Sequence, residues 1–362
     1  MTSTQPYLSM VTTSRNDGHG GDLLGRMNIH INSFIDQCKQ YNLDAEIIIV
    51  EWNPPSDRPG LKEVLEWPED TGPVSIRIIQ VANELHARLK HSQALPLYQM
   101  IAKNVGVRRA KGKFVLATNV DIVFSDSLFR YLGKRKLRED RMYRVDRHDI
   151  DAGVPIQATT QERLAYCADR SHVLRICRRG GTEILKDNSY VAIFPHHAVL
   201  FVKAAMISIF GMIVGRRFGM SRKHAWDHYR FHRSIGRLHT NACGDFTLLS
   251  KKAWDDLQGY DEREMYSFHL DSLFCHAAQA AGYREIELMN SPTYHIEQTE
   301  GSAYQPEKEN KLWDRLEEAK IGRMTDKELW DEVVALRSGQ KSPRYNDENW
   351  GFAKEDLEEI SV

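Results

Sequence analysis

The stretch KFVLATNVDIVFS, residues 113–125, decides how this chain is read. Its first half is a run of apolar, β-favouring residues of the kind found in strands buried on both faces. The run stops on Asn119 and Asp121, one residue apart. A polar pair at the mouth of a buried strand serves as a turn signal, a helix cap or a metal site, and Asn and Asp favour turns in any case. Working outward, LSMVTT (8–13), AEIIIV (45–50) and SIRIIQV (75–81) are similar apolar runs. Between them, residues 23–41 and 97–110 read as helices, the second with Leu97, Met100, Ile101 and Val105 at helical spacing. The order β-α-β-α-β predicts an α/β fold with a mostly parallel sheet covered by helices on both sides. Ligands of such sheets bind beyond the carboxyl ends of the strands, which directs attention to Ser14-Arg15-Asn16-Asp17, to Glu51 and to Asn119-Val120-Asp121.

The whole chain narrows the choices further. Its 362 residues suffice for two domains or one large α/β domain with additions. Lys and Arg number 49 against 50 Asp and Glu, a net charge of −1 that gives no reason to expect a nucleic-acid partner. Five scattered cysteines, Cys38, Cys167, Cys177, Cys243 and Cys275, have no C-x-x-C spacing and read as reduced structural thiols. MTSTQPYLSM lacks a basic segment followed by a long apolar one, so a cytoplasmic location is expected. Near the other end, Thr325-Asp326-Lys327-Glu328 has capping-box spacing before an apolar helical pattern.

AKNVGVRRAKGKFVLATNVDIVFS (102–125) resembles the segment of GT-A glycosyltransferases in which an A-R-N-x-G-x-x-x-A-x-G helix feeds a strand ending in Asp-x-Asp. Lys103, Asn104, Gly106, Ala110 and Gly112 keep that register, and Asn119-Val120-Asp121 falls at the Asp-x-Asp. GDFTLLSKKAWDDLQGYDE (244–262) is similar to the family's acceptor-side strand and helix with its G-[FY]-D-E turn, and HLDSLFCHAAQAAGY (269–283) to its E-D-x-x-L…A-G-[FY] helix. The resemblance is to the large inverting, family 2-type members. It implies a Rossmann-like GT-A fold in three parts: a nucleotide-sugar-binding half over 1–140, an acceptor-binding and catalytic half over 141–300 with an insertion at about 195–240, and a helical C-terminal extension over 301–362.

The resemblance also implies residue roles. Thr13, Ser14, Arg15, Asp17 and Glu51 would line the nucleotide, with Lys103, Asn104, Asn119 and Asp121 on the donor side and Lys103 towards the diphosphate. Gly244, Asp245 and His269 would lie on the acceptor side, and Asp271 would be the general base that takes the acceptor's proton. A divalent cation, Mn²⁺ or Mg²⁺, would be held by Asp121 with His295 completing its site, because oxygen ligands suit these ions and a cation stabilises a departing diphosphate. The first acid of Asp-x-Asp is an amide here, Asn119, and Leu270 and His269 replace what precedes Asp271 in the family. Both departures loosen the expected site. Asp17-Gly18-His19-Gly20-Gly21 lacks the spacings of phosphate-binding loops and reads as a flexible turn.

The middle of the chain is different in character. AVLFVKAAMISIFGMIVG (198–215) is nearly apolar but interrupted by Lys203, and RRFGMSRKHAWDHYRFHRSIGRLH follows with Asp227 as its only acid. One reading is a core strand and a buried helix; another is a basic, aromatic segment over 198–237 resting on an anionic membrane surface, within reach of a glycan or lipid-linked acceptor; a third has its Arg and His residues binding an anionic acceptor or the donor diphosphate. The expected function is transfer of a sugar from a nucleotide-sugar donor, a UDP-sugar, to a hydroxyl. The alternatives are a sugar-nucleotide nucleotidyltransferase, whose Gly-rich basic loop is missing, and a non-catalytic carbohydrate- or membrane-binding protein on a degenerate GT-A scaffold.

Overall fold

The computed structural model describes residues 5–170, 174–177, 181–186, 189–190, 201–202, 204–208, 223, 226, 238–297 and 306–362. Its strands are β1 (Leu8–Ser14), β2 (Ala45–Trp52), β3 (Val74–Val81), β4 (Phe114–Ala117), β5 (Ile122–Phe124), β6 (Arg141–Arg144), β7 (Arg147–Ile150), β8 (Leu174–Cys177), β9 (Gly181–Lys186), β10 (Ser189–Tyr190), β11 (Thr247–Ser250), β12 (Arg284–Glu287), β13 (Thr293–Ile296) and β14 (Glu358–Ser361). The helices are α1 (Leu23–Gln40), the single turns α2 (Leu61–Val64) and α3 (Asn83–His86), α4 (Gln99–Arg109), α5 (Asp126–Gly133), α6 (Thr160–Arg170), α7 (Lys251–Leu257), α8 (Leu270–Ala280), α9 (Pro306–Glu318) and α10 (Asp326–Arg337).

The main sheet has eight strands in the order β12-β6-β11-β4-β1-β2-β3-β14. β1 pairs in parallel with both β2 and β4, and β2 with β3, while β11 runs antiparallel to β4. Both faces are covered. Val11, Ile48 and Val50 pack with Ile101 and Val105 of α4, whereas Met10, Ile47 and Ile49 pack with Met27, Ile31 and Phe34 of α1. That is why these strands read as unbroken apolar runs rather than as alternation. The expected mostly parallel sheet flanked by helices is therefore observed, and the four expected strands and two long helices lie where the sequence put them to within a few residues.

The glycines at 106 and 112 have local reasons. A Cβ on Gly106 would stand 2.5 Å from Cγ1 of Val11, so α4 lies directly on the sheet only because that position is bare. A Cβ on Gly112 would meet Oγ of Ser9 at 2.5 Å. Two of the three stretches of sequence that bear the resemblance also clamp each other. Asn104 Nδ2 donates to the Tyr260 carbonyl at 2.8 Å and to Glu262 Oε1 at 2.9 Å, and Asn104 Oδ1 accepts from the Tyr260 N–H at 2.8 Å.

A second sheet, β10-β9-β8-β7-β13-β5, has six strands. The chain enters it directly from β4: the turn at residues 118–121 leads into β5, which pairs antiparallel with β13. The C-terminal part is helical as expected, with the capping box at Thr325 and Glu328 formed, but it also contributes β14, which pairs antiparallel with β3. DLEEISV hides this strand because a sheet-edge strand with acidic side chains lacks an apolar run. Cys38, Cys167, Cys243 and Cys275 are buried free thiols. Most of the 198–237 segment lies outside the described residues, and among those described no helix is long and apolar enough to cross a membrane.

Candidate active site

The passage from one sheet to the other makes the site. β4 runs in the main sheet to Ala117, Thr118 extends it with an N–H bond to the Val11 carbonyl at 3.0 Å, and by Ile122 the chain belongs to the second sheet. In that sheet His295 is the register partner of Ile122 on one side and of Asp149 on the other. Asp121, immediately before Ile122, is thereby set against His295, with Oδ2 to Nε2 at 3.5 Å, while His295 Nδ1 faces Asp149 Oδ1 at 3.2 Å.

Burial alone would raise the Asp121 carboxyl, but the charge of the neighbouring His295 outweighs it and holds the group down at about 2. Burial would likewise depress the His295 imidazole, and the Asp121 carboxylate instead raises it to about 10. The two therefore form an ion pair across the neutral range.

The pairing continues without a break. Arg147 Nε lies 2.8 Å from Asp149 Oδ1, and Arg147 Nη1 lies 2.8 Å from Asp245 Oδ2. Asp245 Oδ1 accepts from Asn119 Nδ2 at 2.6 Å. Asn119 Oδ1 accepts from Lys103 Nζ at 2.8 Å and from Gln99 Nε2 at 2.8 Å, one helical turn apart on α4. Lys103, wholly buried, also donates to the Gly244 carbonyl at 2.7 Å. Burial pushes its ammonium down to about 8 despite the nearby Asp245 and Asp271 carboxylates.

At Gln99 this buried network meets an open cleft of about 440 Å³, lined by Gln99, Thr240, Asn241, His269, Asp271 and Asp326 among others. Asp271 stands in the first turn of α8, where its Oδ1 accepts the Ser272 N–H at 2.8 Å. A Cβ on Gly244 would come within 3.0 Å of Asp271 Oδ2, so a glycine there leaves the carboxylate its room. His269 caps α8 in a left-handed conformation, φ 66°, and its Nε2 lies 2.8 Å from Asp326 Oδ1.

Several expected site residues have other partners. Glu51 is buried, with Oε1 accepting the Leu61 N–H at 2.8 Å and Oε2 accepting from Gln80 at 3.1 Å, so it anchors α2 instead of facing the cleft. Thr13 donates to the Val50 carbonyl at 3.1 Å, and Ser14 is buried beside it. Asn104 is buried in the clamp to Tyr260 and is not brought to the cleft. Arg15 donates to the Pro96 carbonyl at 3.2 Å and pairs with Asp17 at 3.5 Å. Lys103 lies beneath the cleft surface, and Asp245 belongs to the network around Asn119 rather than to the cleft wall. The turn at 17–21 places Gly18, Gly20 and Gly21 at positive φ, and Arg26 ties it down through bonds to the His19 and Gly20 carbonyls at 2.9 and 3.1 Å.

Gln99, Arg147 and Asp149 are the participants that sequence reading missed. Gln99 sits one helical turn before Lys103, a signal that was available; Arg147 and Asp149 lie in a charged stretch that gives no sign of burial.

Asp121 and His295 fit a divalent ion. Two ligands each about 2.1 Å from a shared ion lie about 3 to 3.4 Å apart, close to the 3.5 Å found between Oδ2 and Nε2. Asp149 at the far nitrogen supplies the carboxylate that commonly orients a metal-binding imidazole. Asn119 does not fit as a ligand, because its carbonyl oxygen already accepts from both Lys103 and Gln99.

No family model matches this chain, and no curated protein matches it. Among solved structures, it is similar to S. aureus TarS 1-349 in complex with UDP, at 12% identity over 92% of this chain and 71% of that one, with a TM-score of 0.41. It is also similar to TarS 1-349 in complex with UDP-GlcNAc, at 11% identity over 91% of this chain and 71% of that one, TM-score 0.42. The functional reading accordingly rests on this chain's own residues.

Proposed function

We propose that the chain is a GT-A glycosyltransferase that moves a sugar, with inversion, from a UDP-sugar donor to a hydroxyl of a glycan or lipid-linked acceptor. The observation that carries this reading is the junction at Gln99, Lys103 and Gly244, where a carboxylate-bearing strand end and a cleft containing Asp271 adjoin.

In this reading the donor's diphosphate lies beside Asp121 and His295, which would hold Mn²⁺ or Mg²⁺. Such an ion, when bound, neutralises the diphosphate and stabilises its departure. The acceptor hydroxyl enters the cleft next to Asp271. Its oxygen forms a bond to the anomeric carbon, the carbon–oxygen bond to the diphosphate breaks with the electron pair leaving on the nucleotide, and Asp271 takes the hydroxyl proton. The Ser272 N–H holds Oδ1 of Asp271, which leaves Oδ2, on the Gly244 side, to receive that proton. The buried Lys103 and Arg147 hold fixed positive charge close to where negative charge grows, with no solvent to reorganise.

A second reading, a non-catalytic carbohydrate-binding protein on the same scaffold, is favoured by one observation: the amide of Asn119 is fully occupied where the family carries a carboxylate. UDP release from a panel of UDP-sugars, with Mn²⁺ and with chelator, separates the two. Release that chelator abolishes is expected. Asp271→Asn should then lower turnover by about 100-fold or more with UDP affinity unchanged; no release above background favours the binding protein.

Phe201, Val202 and Met206 are 47%, 54% and 41% exposed, and they support contact of this segment with a membrane surface, which the basic residues of the following stretch would make an anionic one. Co-sedimentation with vesicles containing phosphatidylserine, absent with neutral vesicles, is the expected result.

A further inference from the structure

At the edge of the main sheet remote from β14, a second group of metal-ligating side chains converges. Asp146 follows β6, Glu287 ends β12, and His239 lies far from both in sequence, yet one ligand atom from each lies within 4.8 Å of the others. The pairing of β12 with β6 explains the first two, since Glu287 is the register partner of Arg144. His239 is brought in by its main chain. Its N–H donates to Glu285 Oε1 at 2.8 Å, and its carbonyl accepts from Arg144 Nε at 2.9 Å. Glu285 and Glu287 are two residues apart on β12 and so point to the same face, one holding the main chain of His239 and the other reaching its ring.

The imidazole is fully buried and its Nε2 lies 2.9 Å from Asp146 Oδ1, a separation that suits two ligands of one small ion as well as a hydrogen bond. Asp146 keeps a quarter of its side chain exposed and Glu287 is half-buried, which leaves an entry path from solvent. Three carboxylates, Asp146, Glu285 and Glu287, stand here against the Arg144 guanidinium, whose donors point to the His239 and Asn241 carbonyls and to Thr247.

We infer that Asp146, His239 and Glu287 form a second divalent-metal site, separate from Asp121 and His295 and independent of the proposed transferase reaction. One imidazole and two carboxylates favour a first-row transition ion, Zn²⁺ above Mn²⁺, over Mg²⁺ or Ca²⁺. Three protein ligands leave a fourth position for water. The ion would fasten residues 238–242 to the sheet edge, and Thr240, Asn241 and Ala242 of that stretch line the cleft that contains Asp271. Its role is to order that wall.

The test uses the full chain carrying Asp121→Asn, so that the first site cannot report. Equilibrium dialysis against Zn²⁺, and absorption of the Co²⁺-loaded chain, should show one bound ion per chain. Adding Glu287→Gln, a same-shape change at a half-buried position, should weaken Zn²⁺ binding by tenfold or more. The rise in melting temperature on adding Zn²⁺ should disappear with it. Absence of Zn²⁺ from the Asp121→Asn chain, or Zn²⁺ binding unchanged by Glu287→Gln, overturns the inference.

Discussion

The strand end at Asp121 and the cleft at Asp271 adjoin, yet they are built in opposite ways. In the first, the carboxylates of Asp121, Asp149 and Asp245 and the cations His295, Arg147 and Lys103 are largely or wholly buried, and every one contacts another member of the network or its neighbours. In the second, most polar groups keep part of their surface in solvent, and the contact between His269 and Asp326 has its acid 67% exposed. Buried, mutually paired charges hold their positions without help from a ligand, which suits a place where charge develops during a reaction. Exposed groups are cheap to rearrange and suit a place that must accept a guest. Substitutions on the two sides should therefore differ in what they damage.

The largest effect on stability is expected at Asp245, which faces both Arg147 and Asn119. Asp245→Ala leaves a buried guanidinium with one anion fewer and should lower unfolding free energy by about 3 to 5 kcal/mol in urea titrations. A loss below about 1 kcal/mol would erase the distinction between the two sides.

Lys103 comes next. Its ammonium is lowered from an ordinary 10.5 to about 8, so the folded chain holds that proton less tightly than the unfolded chain. Stability should therefore rise with pH across the window between those two values, by about 2 kcal/mol near pH 9.5 relative to Lys103→Met, which lacks the group. Denaturant titrations of both chains at pH 7.5 and 9.5 measure the difference.

Asn119→Asp is a sharper probe, because it places an acid where the chain carries an amide. It would set a carboxylate against Asp245 Oδ1 in place of a donor 2.6 Å away. We expect a loss of about 1.5 kcal/mol at neutral pH, partly offset by Lys103, and a smaller loss near pH 4 where one of the two acids takes up a proton. A stabilised Asn119→Asp chain would mean that the amide is not selected by its neighbours. The smallest effect belongs to the cleft wall: His269→Ala should change stability by no more than about 0.5 kcal/mol, since a contact with a largely exposed carboxylate contributes little.

How far this site could be read in advance depended on the kind of information each residue carried. Asp121 was legible because it ends an apolar run, and a strand end in a parallel sheet is a place for chemistry. His295 and Asp149 are neighbours only through the register of β13 between β5 and β7, a pairing between segments more than a hundred residues apart. Asn104 is expected on the donor side because it falls at the right place in a motif, and Glu51 because it ends a strand. Asn104 in fact clamps the Tyr260 turn, and Glu51 anchors α2. A motif marks positions under constraint, and packing constrains a residue as firmly as a ligand does. The same holds for Gly106 and Gly112, whose bareness serves the close approach of the α4 segment to the sheet.

The sequence alone determined the α/β class, the order of the first four strands and their two long helices, the capping box before α10 and the placement of Asn119 and Asp121 at the end of a strand. These follow from local apolar runs and helical spacing, which are written in neighbouring residues. Only the tertiary structure decided which polar side chains share a site. Asp121 gained His295, Asn119 was taken up between Lys103 and Asp245, and Gly244 was set beside Asp271. Those contacts act over about 3 Å and join stretches that strand register and helix packing bring together, so no spacing along the chain encodes them.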